Sequence, residues 1–254
     1  RMSALVDQIA ELNKSGVEII LISSGAVASG RSEIHPQKKL DSVDQRQLFS
    51  AVGQAKLINR YYELFREHGI AVGQVLTTKE NFSTRRHYLN QKNCMTVMLE
   101  NGVIPIVNEN DTVATHEIEI GDNDTLSAIV ASMIGADLLI LLSDIDGLYT
   151  DDPRANPDAE FIETVEHLDE SFLRMGKSTT RSGVGTGGMS TKLTAATIAT
   201  ASGADMVIAN SKDVRIIHRI IDGENYGTLF LAEKQDAFDL PDFVENLHSC
   251  RERG

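Results

Sequence analysis

Apolar residues along this chain recur at two spacings that alternate with one another. Leu5, Ile9 and Leu12 fall on one helical face, with Ser3 placed to cap the start and Gly16 to end it. Val17–Ile22 then reads as a buried strand. Asp44 to His68 carries a long helical pattern closed by Gly69, and Ala71–Thr77 is strand-like. Arg85–Asn101 is helical up to Gly102, and Val103–Val107 reads as a strand despite Pro105. Thr112–Ile120 alternates, with Val113, Ile118 and Ile120 apolar, which predicts a small exposed hairpin. Thr125–Ile134 is helical. Leu138–Leu142 is an unbroken apolar run, the pattern of a strand covered on both faces. The Ala- and Thr-rich stretch Leu193–Ser202 reads as a helix and Met206–Ala209 as the last central strand. Val214–Ile221 reads as a helix and Thr228–Leu231 as a closing edge strand. The charged stretch Ala232–Gly254 predicts a peripheral helix or a partly disordered tail.

Buried strands alternating with helices predict an α/β fold, a three-layer αβα sandwich with a mainly parallel central sheet. A chain of 254 residues allows one large domain or two small ones, and 41% apolar content supplies a sizeable core. The net charge of −13, from 24 basic and 37 acidic residues, argues against general binding to nucleic acid or anionic membrane. It leaves room for a local cationic pocket. Cys94 and Cys250 fit no metal spacing, and no apolar run approaches the roughly 18 residues of a membrane helix. With no visible signal peptide, a reducing cytoplasm is the expected location.

The run Gly183-Val-Gly-Thr-Gly-Gly-Met-Ser-Thr-Lys192 carries the clearest chemistry. Its glycines let backbone N–H groups converge on an anion, and Ser190, Thr191 and Lys192 add two hydroxyls and a cation before a helix. It lacks the Gly-Lys-Ser/Thr order of a Walker A loop. Gly183, Gly185 and Gly188 match a dinucleotide fingerprint, but Gly176–Ser182 before them is polar rather than a buried strand. That weakens a dehydrogenase reading.

In a parallel sheet, ligands bind beyond the carboxyl ends of the strands. Polar clusters lie at those ends: Ser23-Ser24-Gly25-Ala26, Asn108-Glu109-Asn110-Asp111, Ser143-Asp144 and Asn210-Ser211-Lys212. Gly121-Asp122-Asn123-Asp124 precedes a helix, with Asp124 either its N-cap or a functional group. Asn123 offers an amide, while Asp122 and Asp124 offer acceptors for a substrate ammonium or for catalytic lysines. Asn108 and Asp111 complete an ammonium pocket, and Ser24 and Gly25 supply a small anion cradle. Such a set suits an amino acid. The acidic stretch Asp144–Asp152 lacks calcium-loop spacing. Its Pro153 and Pro157 mark a shaped loop suited to a nucleotide base or ribose.

Taken together, Ser-Ser-Gly-Ala at 23–26, Val-Asn-Glu-Asn-Asp at 107–111, Gly-Asp-Asn-Asp at 121–124, Ser-Asp-Ile-Asp-Gly-Leu-Tyr-Thr at 143–150 and Gly-Thr-Gly-Gly-Met-Ser-Thr-Lys at 185–192 resemble the glutamate 5-kinases of the amino acid kinase family. The similarity runs from residue 1 to about Leu231. It implies MgATP-dependent phosphorylation of the side-chain carboxylate of L-glutamate, giving L-glutamyl 5-phosphate, the first step of proline biosynthesis. It implies glutamate contacts at Ser24, Gly25, Asn108, Asp111, Asp122 and Asn123. ATP contacts are implied at Ser143, Asp144, Thr186, Gly187, Gly188, Met189, Ser190, Thr191 and Lys192. Lys192 would stabilise the transferring phosphoryl group and Asp124 would organise catalytic lysines. Magnesium would be held mainly by the ATP phosphates. Proline would act as feedback inhibitor, and the protein would be a cytoplasmic homo-oligomer.

From the resemblance we expect a kinase domain over 1–231 and a charged tail over 232–254, with no PUA domain expected. The family's opening strand, with a phosphate-contacting lysine, is expected before Arg1. Two other readings share the same residues. One is the kinase portion of a bifunctional pyrroline-5-carboxylate synthetase, and the other is a non-catalytic regulatory domain of the same fold.

Overall fold

The computed structural model describes residues 1–114, 120–151, 153, 155–169, 171–172 and 188–247. They form two compact units, Arg1–Asn123 and Asp124–Gly254.

The first unit opens with α1 (Met2–Lys14), which buries Val6, Ile9, Ala10 and Leu12. Arg1 occupies its N-cap without a side-chain capping bond, and Ser3 lies inside the first turn instead of capping it. β1 (Leu21–Ile22) leads through Gly25 into α2 (Ala26–Glu33), followed by α3 (Ser42–Glu67), β2 (Ala71–Thr77), α4 (Glu80–Ser83), α5 (Arg85–Glu100) and β3 (Val103–Glu109). Asp41 caps α3 by accepting from the Asp44 N–H, and Thr84 caps α5 by accepting from the His87 N–H. Gly16, Gly69 and Gly102 follow α1, α3 and α5 at positive φ, as the sequence pattern predicts.

The three strands form a parallel sheet in the order β1-β3-β2. β1 is much shorter than the predicted Val17–Ile22, and Pro105 gives the physical reason. The Ser23 N–H donates to the Val107 carbonyl, so residue 107 turns its polar groups toward β1. Residue 105 faces the same way, and proline has no N–H to offer there. Pairing with β1 therefore starts only at Ile106. On the opposite side Pro105 keeps its register with Gly73 of β2. α1 and α3 cover the sheet, with Val6, Ile9, Leu57, Tyr61, Leu64 and Phe65 buried against Ile104 and Ile106.

α2 lies unusually close to α3. A Cβ on Gly30 would stand 1.8 Å from the Phe49 carbonyl oxygen, and one on Gly53 would stand 1.7 Å from that of Ala26. Only glycine fits either position, and the close crossing fixes the turn that leads from β1 into α2.

The second unit contains most of α6 (Asn123–Ile134), then β4 (Leu138–Ser143), β5 (Leu148–Tyr149), β6 (Phe161–Ile162), β7 (Thr164–Val165), α7 (Met189–Ser202), β8 (Asp205–Asn210), α8 (Ile216–Ile221), β9 (Thr228–Phe230) and α9 (Leu240–Glu245). Its sheet runs β4-β8-β9-β7, with β5 and β6 as a separate antiparallel pair. β4 and β8 are parallel, β9 runs antiparallel to β8, and β7 pairs parallel to β9. β9 is thus an interior strand, not the predicted edge. The edge is β7, two residues between Glu163 and Glu166 with no apolar run to announce it. Thr228 joins the pieces: its Oγ1 donates to the Ile162 carbonyl at 2.6 Å and accepts from the Leu148 N–H at 2.7 Å.

α7 starts at Met189, before the predicted Leu193, so Ser190, Thr191 and Lys192 are helical. α9 buries Leu240 and Val244, giving the tail a helix. The predicted hairpin at Thr112–Ile120 falls largely outside the described residues. The architecture is α/β, with mostly parallel sheets and interleaved helices.

Candidate active site

In the second unit the first turns of two helices supply opposite charges. Lys192 is the fourth residue of α7, and Asp124 is the second residue of α6. Asp124 is therefore not the N-cap. Lys192 Nζ donates to Asp124 Oδ2 at 2.9 Å, with the two side chains 9% and 20% exposed. Thr191 Oγ1 lies 2.9 Å from the same carboxylate oxygen and 2.8 Å from the Gly188 carbonyl, two acceptors for one hydroxyl proton.

The carboxylate is well placed, because a helix N-terminus favours negative charge. The lysine is not: a cation in the first turn opposes the dipole, at a typical cost of about 0.3–1 kcal/mol. Burying it adds a desolvation cost that only a close counter-charge offsets. Stability alone gives no reason for a lysine here, and a local rule broken in this way makes Lys192 a candidate functional position.

Ser143 and Asp144 stand where the β4 and β8 ends meet. Ser143 pairs in register with Asn210, and its carbonyl accepts from the Ser211 N–H at 2.7 Å. Ser143 Oγ donates to Asp144 Oδ1 at 3.3 Å. Asn210 Nδ2 donates to Asp146 Oδ1 at 2.6 Å. Of the residues expected to bind ATP, Gly188, Met189, Ser190 and Thr191 lie at the α7 start, while Thr186 and Gly187 lie outside the described residues. Gly188 is the N-cap of α7, so the N–H groups just after it have no intrahelical acceptor.

In the first unit the candidate groups sit at the ends of β1 and β3 and on the segments that follow. Ser24 is exposed. Gly25 is the N-cap of α2 at φ 106°, a left-handed conformation that side chains rarely adopt. Asn108 is buried, and its Nδ2 donates to Gln54 Oε1 at 3.3 Å. Asp111 lies 3.9 Å from the Arg46 guanidinium, which also donates to the Ala114 carbonyl at 3.2 Å. Asp122 is buried and Asn123 begins α6.

Four residues hold these groups in place, three that the sequence reading passed over and Glu109, which it named without a role. Glu109, buried at the end of β3, accepts from the Ile120 N–H and, at 3.1 Å, from the Gly121 N–H. That fixes the backbone leading into Asp122 and Asn123. Tyr61 and Ser23 share a buried hydrogen bond of 2.8 Å between their hydroxyls. Burial pushes the Tyr61 phenol above its usual pKa, with the Ser23 bond partly opposing. Gln54 holds Asn108, and Arg46 faces Asp111. One signal was readable: Gln54 is a polar residue on the helical face that carries Leu57, Tyr61 and Leu64. Among the described residues no group of three or more His, Cys, Asp or Glu is arranged to hold a metal ion, and no helix is long and apolar enough to cross a membrane.

Residues 1–210 match the model of the Amino acid kinase family. The glutamate 5-kinase of Bacteroides thetaiotaomicron is 70% identical over 217 residues, covering 85% of this chain and 59% of that protein. That of Caldanaerobacter subterraneus is 48% identical over 235 residues, covering 92% and 62%. That of Clostridium acetobutylicum is 45% identical over 235 residues, covering 92% and 88%. The chain thus spans 59% and 62% of the first two relatives. A solved UMP kinase from Bacillus anthracis shares the fold at a TM-score of 0.56 and 15% identity, covering 91% of this chain and 86% of its own. By its sequence match over most of its length, the chain belongs to the amino acid kinase family.

Proposed function

We propose that the protein uses ATP to phosphorylate the side-chain carboxylate of L-glutamate, forming L-glutamyl 5-phosphate, the first step of proline biosynthesis. The observation that carries this reading is the 70% identity to a glutamate 5-kinase. The Lys192–Asp124 pair gives it a chemical basis. Residues 1–231 make up the kinase domain and 232–254 its charged tail.

Ser24, Gly25, Asn108, Asp111, Asp122 and Asn123 bind glutamate. Carboxylate and amide oxygens accept from its ammonium, while amide, hydroxyl and backbone donors take its carboxylates. Ser143, Asp144 and the run from Thr186 to Lys192 bind ATP. A side-chain carboxylate oxygen of glutamate attacks the γ-phosphorus. The new P–O bond forms as the bond to the β–γ bridging oxygen breaks, and ADP leaves with that electron pair. Phosphoryl transfer depends on positioning and charge neutralisation. Lys192 stabilises the charge that redistributes over the phosphoryl oxygens. Asp124 holds the ammonium in place, with Thr191 on the same carboxylate.

Magnesium, carried on the ATP phosphates, would neutralise part of their charge. The Asp124 carboxylate, already engaged by Lys192 and Thr191, fits a metal carried by the nucleotide. Proline shares the α-carboxylate and amine of glutamate and acts as a competitive feedback inhibitor. The enzyme works in the cytoplasm as a homo-oligomer.

Incubation with ATP, magnesium, glutamate and hydroxylamine tests the reaction, because hydroxylamine traps an acyl phosphate as the hydroxamate. Glutamate-dependent hydroxamate is the expected product, and proline should raise the KM for glutamate. Turnover with aspartate or N-acetylglutamate but not with glutamate would overturn the assignment.

A further inference from the structure

We infer that Gln54 is a positioning residue that sets which end of the Asn108 amide faces the substrate. The inference rests on Asn108 being a glutamate-binding residue. Both side chains are buried, Gln54 from α3 and Asn108 from the end of β3. They line one small pocket, together with Ser23, Gln74, Leu57 and Ile106.

An asparagine amide presents an acceptor on one side and a donor on the other, and rotation about χ2 exchanges them. The Asn108 NH2 points at Gln54 Oε1, which only accepts. The Oδ1 atom is thereby turned the other way, as an acceptor. A substrate ammonium needs an acceptor, whereas the reversed amide would meet it with a donor. Gln54 sits on the helix next to Gly53, whose close approach to Ala26 holds this part of α3 against α2. Seven residues on, Tyr61 holds Ser23 at the end of β1. One face of α3 thus reaches two strand ends, and Gln54 acts on polarity where Tyr61 acts on placement.

Steady-state kinetics of the full-length protein test this with Gln54→Met, Gln54→Glu, Asn108→Ala and the double variant Gln54→Met/Asn108→Ala. Methionine keeps the volume but loses the acceptor, so the KM for glutamate should rise about tenfold, the scale of one hydrogen bond to a charged group. The KM for ATP and kcat should move by less than about twofold, a split that general loss of structure would not give. The double variant should be no worse than Asn108→Ala alone, because Gln54 acts through Asn108. Gln54→Glu offers only acceptor oxygens and should stay closer to wild type than Gln54→Met. It also carries the test if the methionine variant folds poorly. Additive losses in the double variant, a larger loss with glutamate than with methionine at position 54, or an unchanged KM in Gln54→Met beside a raised KM in Asn108→Ala would each overturn the inference while leaving the glutamate reading intact. An unchanged KM in Asn108→Ala would remove Asn108 from substrate binding, and the role of Gln54 with it.

Discussion

The two units hold their candidate residues by different physical means. In the first, the two strand-end side chains Asn108 and Ser23 are fixed by neutral hydrogen bonds from a packed helix, through Gln54 and Tyr61, while charged Glu109 and Arg46 act on the segments that follow β3. In the second, two charges are fixed by each other, Lys192 and Asp124, each in a helical first turn. The contrast matches what the proposed roles demand. Recognition of an amino acid needs donors and acceptors of fixed polarity. Phosphoryl transfer needs a desolvated charge held near the phosphates, because electrostatic stabilisation grows as water is excluded.

The sharpest way to break this contrast is to remove the cation. Lys192→Ala should lower kcat by roughly 10²–10³, the typical loss for one preorganised electrostatic donor. Steady-state assays at saturating ATP and glutamate would show it. A loss confined to KM would move Lys192 from transfer to binding.

Asp124→Asn comes next. It leaves Lys192 nearly desolvated beside a neutral amide. Removing one partner of a buried pair costs about 3–5 kcal/mol, and the partial exposure of Asp124 places this variant at or below the lower bound. Denaturant unfolding would measure it, and kcat should fall as the ammonium loses its fixed position.

Gly53→Ala probes the first unit. The added Cβ would overlap the Ala26 carbonyl oxygen, and overpacking of this kind costs about 1–3 kcal/mol. A lower melting temperature with a raised KM for glutamate is expected, since α3 carries both Gln54 and Tyr61.

Tyr61 adds a pH signature to the same unit. Its phenol titrates above the ordinary value of 10.0 because burial disfavours the charged form. The native state therefore holds its proton after the unfolded chain has released its own. The resulting stability is fully present below the unfolded value and falls as pH rises through the folded one. Tyr61→Phe should flatten that alkaline decline in melting temperature. The smallest effect belongs to the exposed Lys56–Glu33 pair. Glu33→Gln should leave the melting temperature at neutral pH essentially unchanged, because an exposed pair is screened by solvent.

Much of this was legible in the sequence, for reasons that differ by region. Helices and strands with strong apolar periodicity, such as α3, β2, α6 and β4, stand where the pattern placed them. Helix-stop glycines are local signals, readable without tertiary knowledge, whereas the caps Asp41 and Thr84 went unread and Ser3, read as a cap, lies inside its helix. β7 and the β5–β6 pair were not legible, because two-residue strands have no period and exist only through their partners. The length of β1 depended on Pro105, more than 80 residues away in sequence. The charged and amide residues of the site were visible as motifs. Their supports, Gln54, Tyr61, Glu109 and Arg46, became visible only once helix and strand ends were brought together in three dimensions.

The division of labour can be tested most directly by calorimetric titration of glutamate into the Lys192→Ala and Asn108→Ala proteins, read beside their turnover. Lys192→Ala should bind glutamate within about threefold of wild type, less than 1 kcal/mol, while its turnover falls by two to three orders of magnitude. Asn108→Ala should lose glutamate affinity by tenfold or more. Loss of glutamate binding in Lys192→Ala as deep as that in Asn108→Ala, or wild-type turnover in Lys192→Ala, would contradict the assignment of recognition to the first unit and transfer to the second.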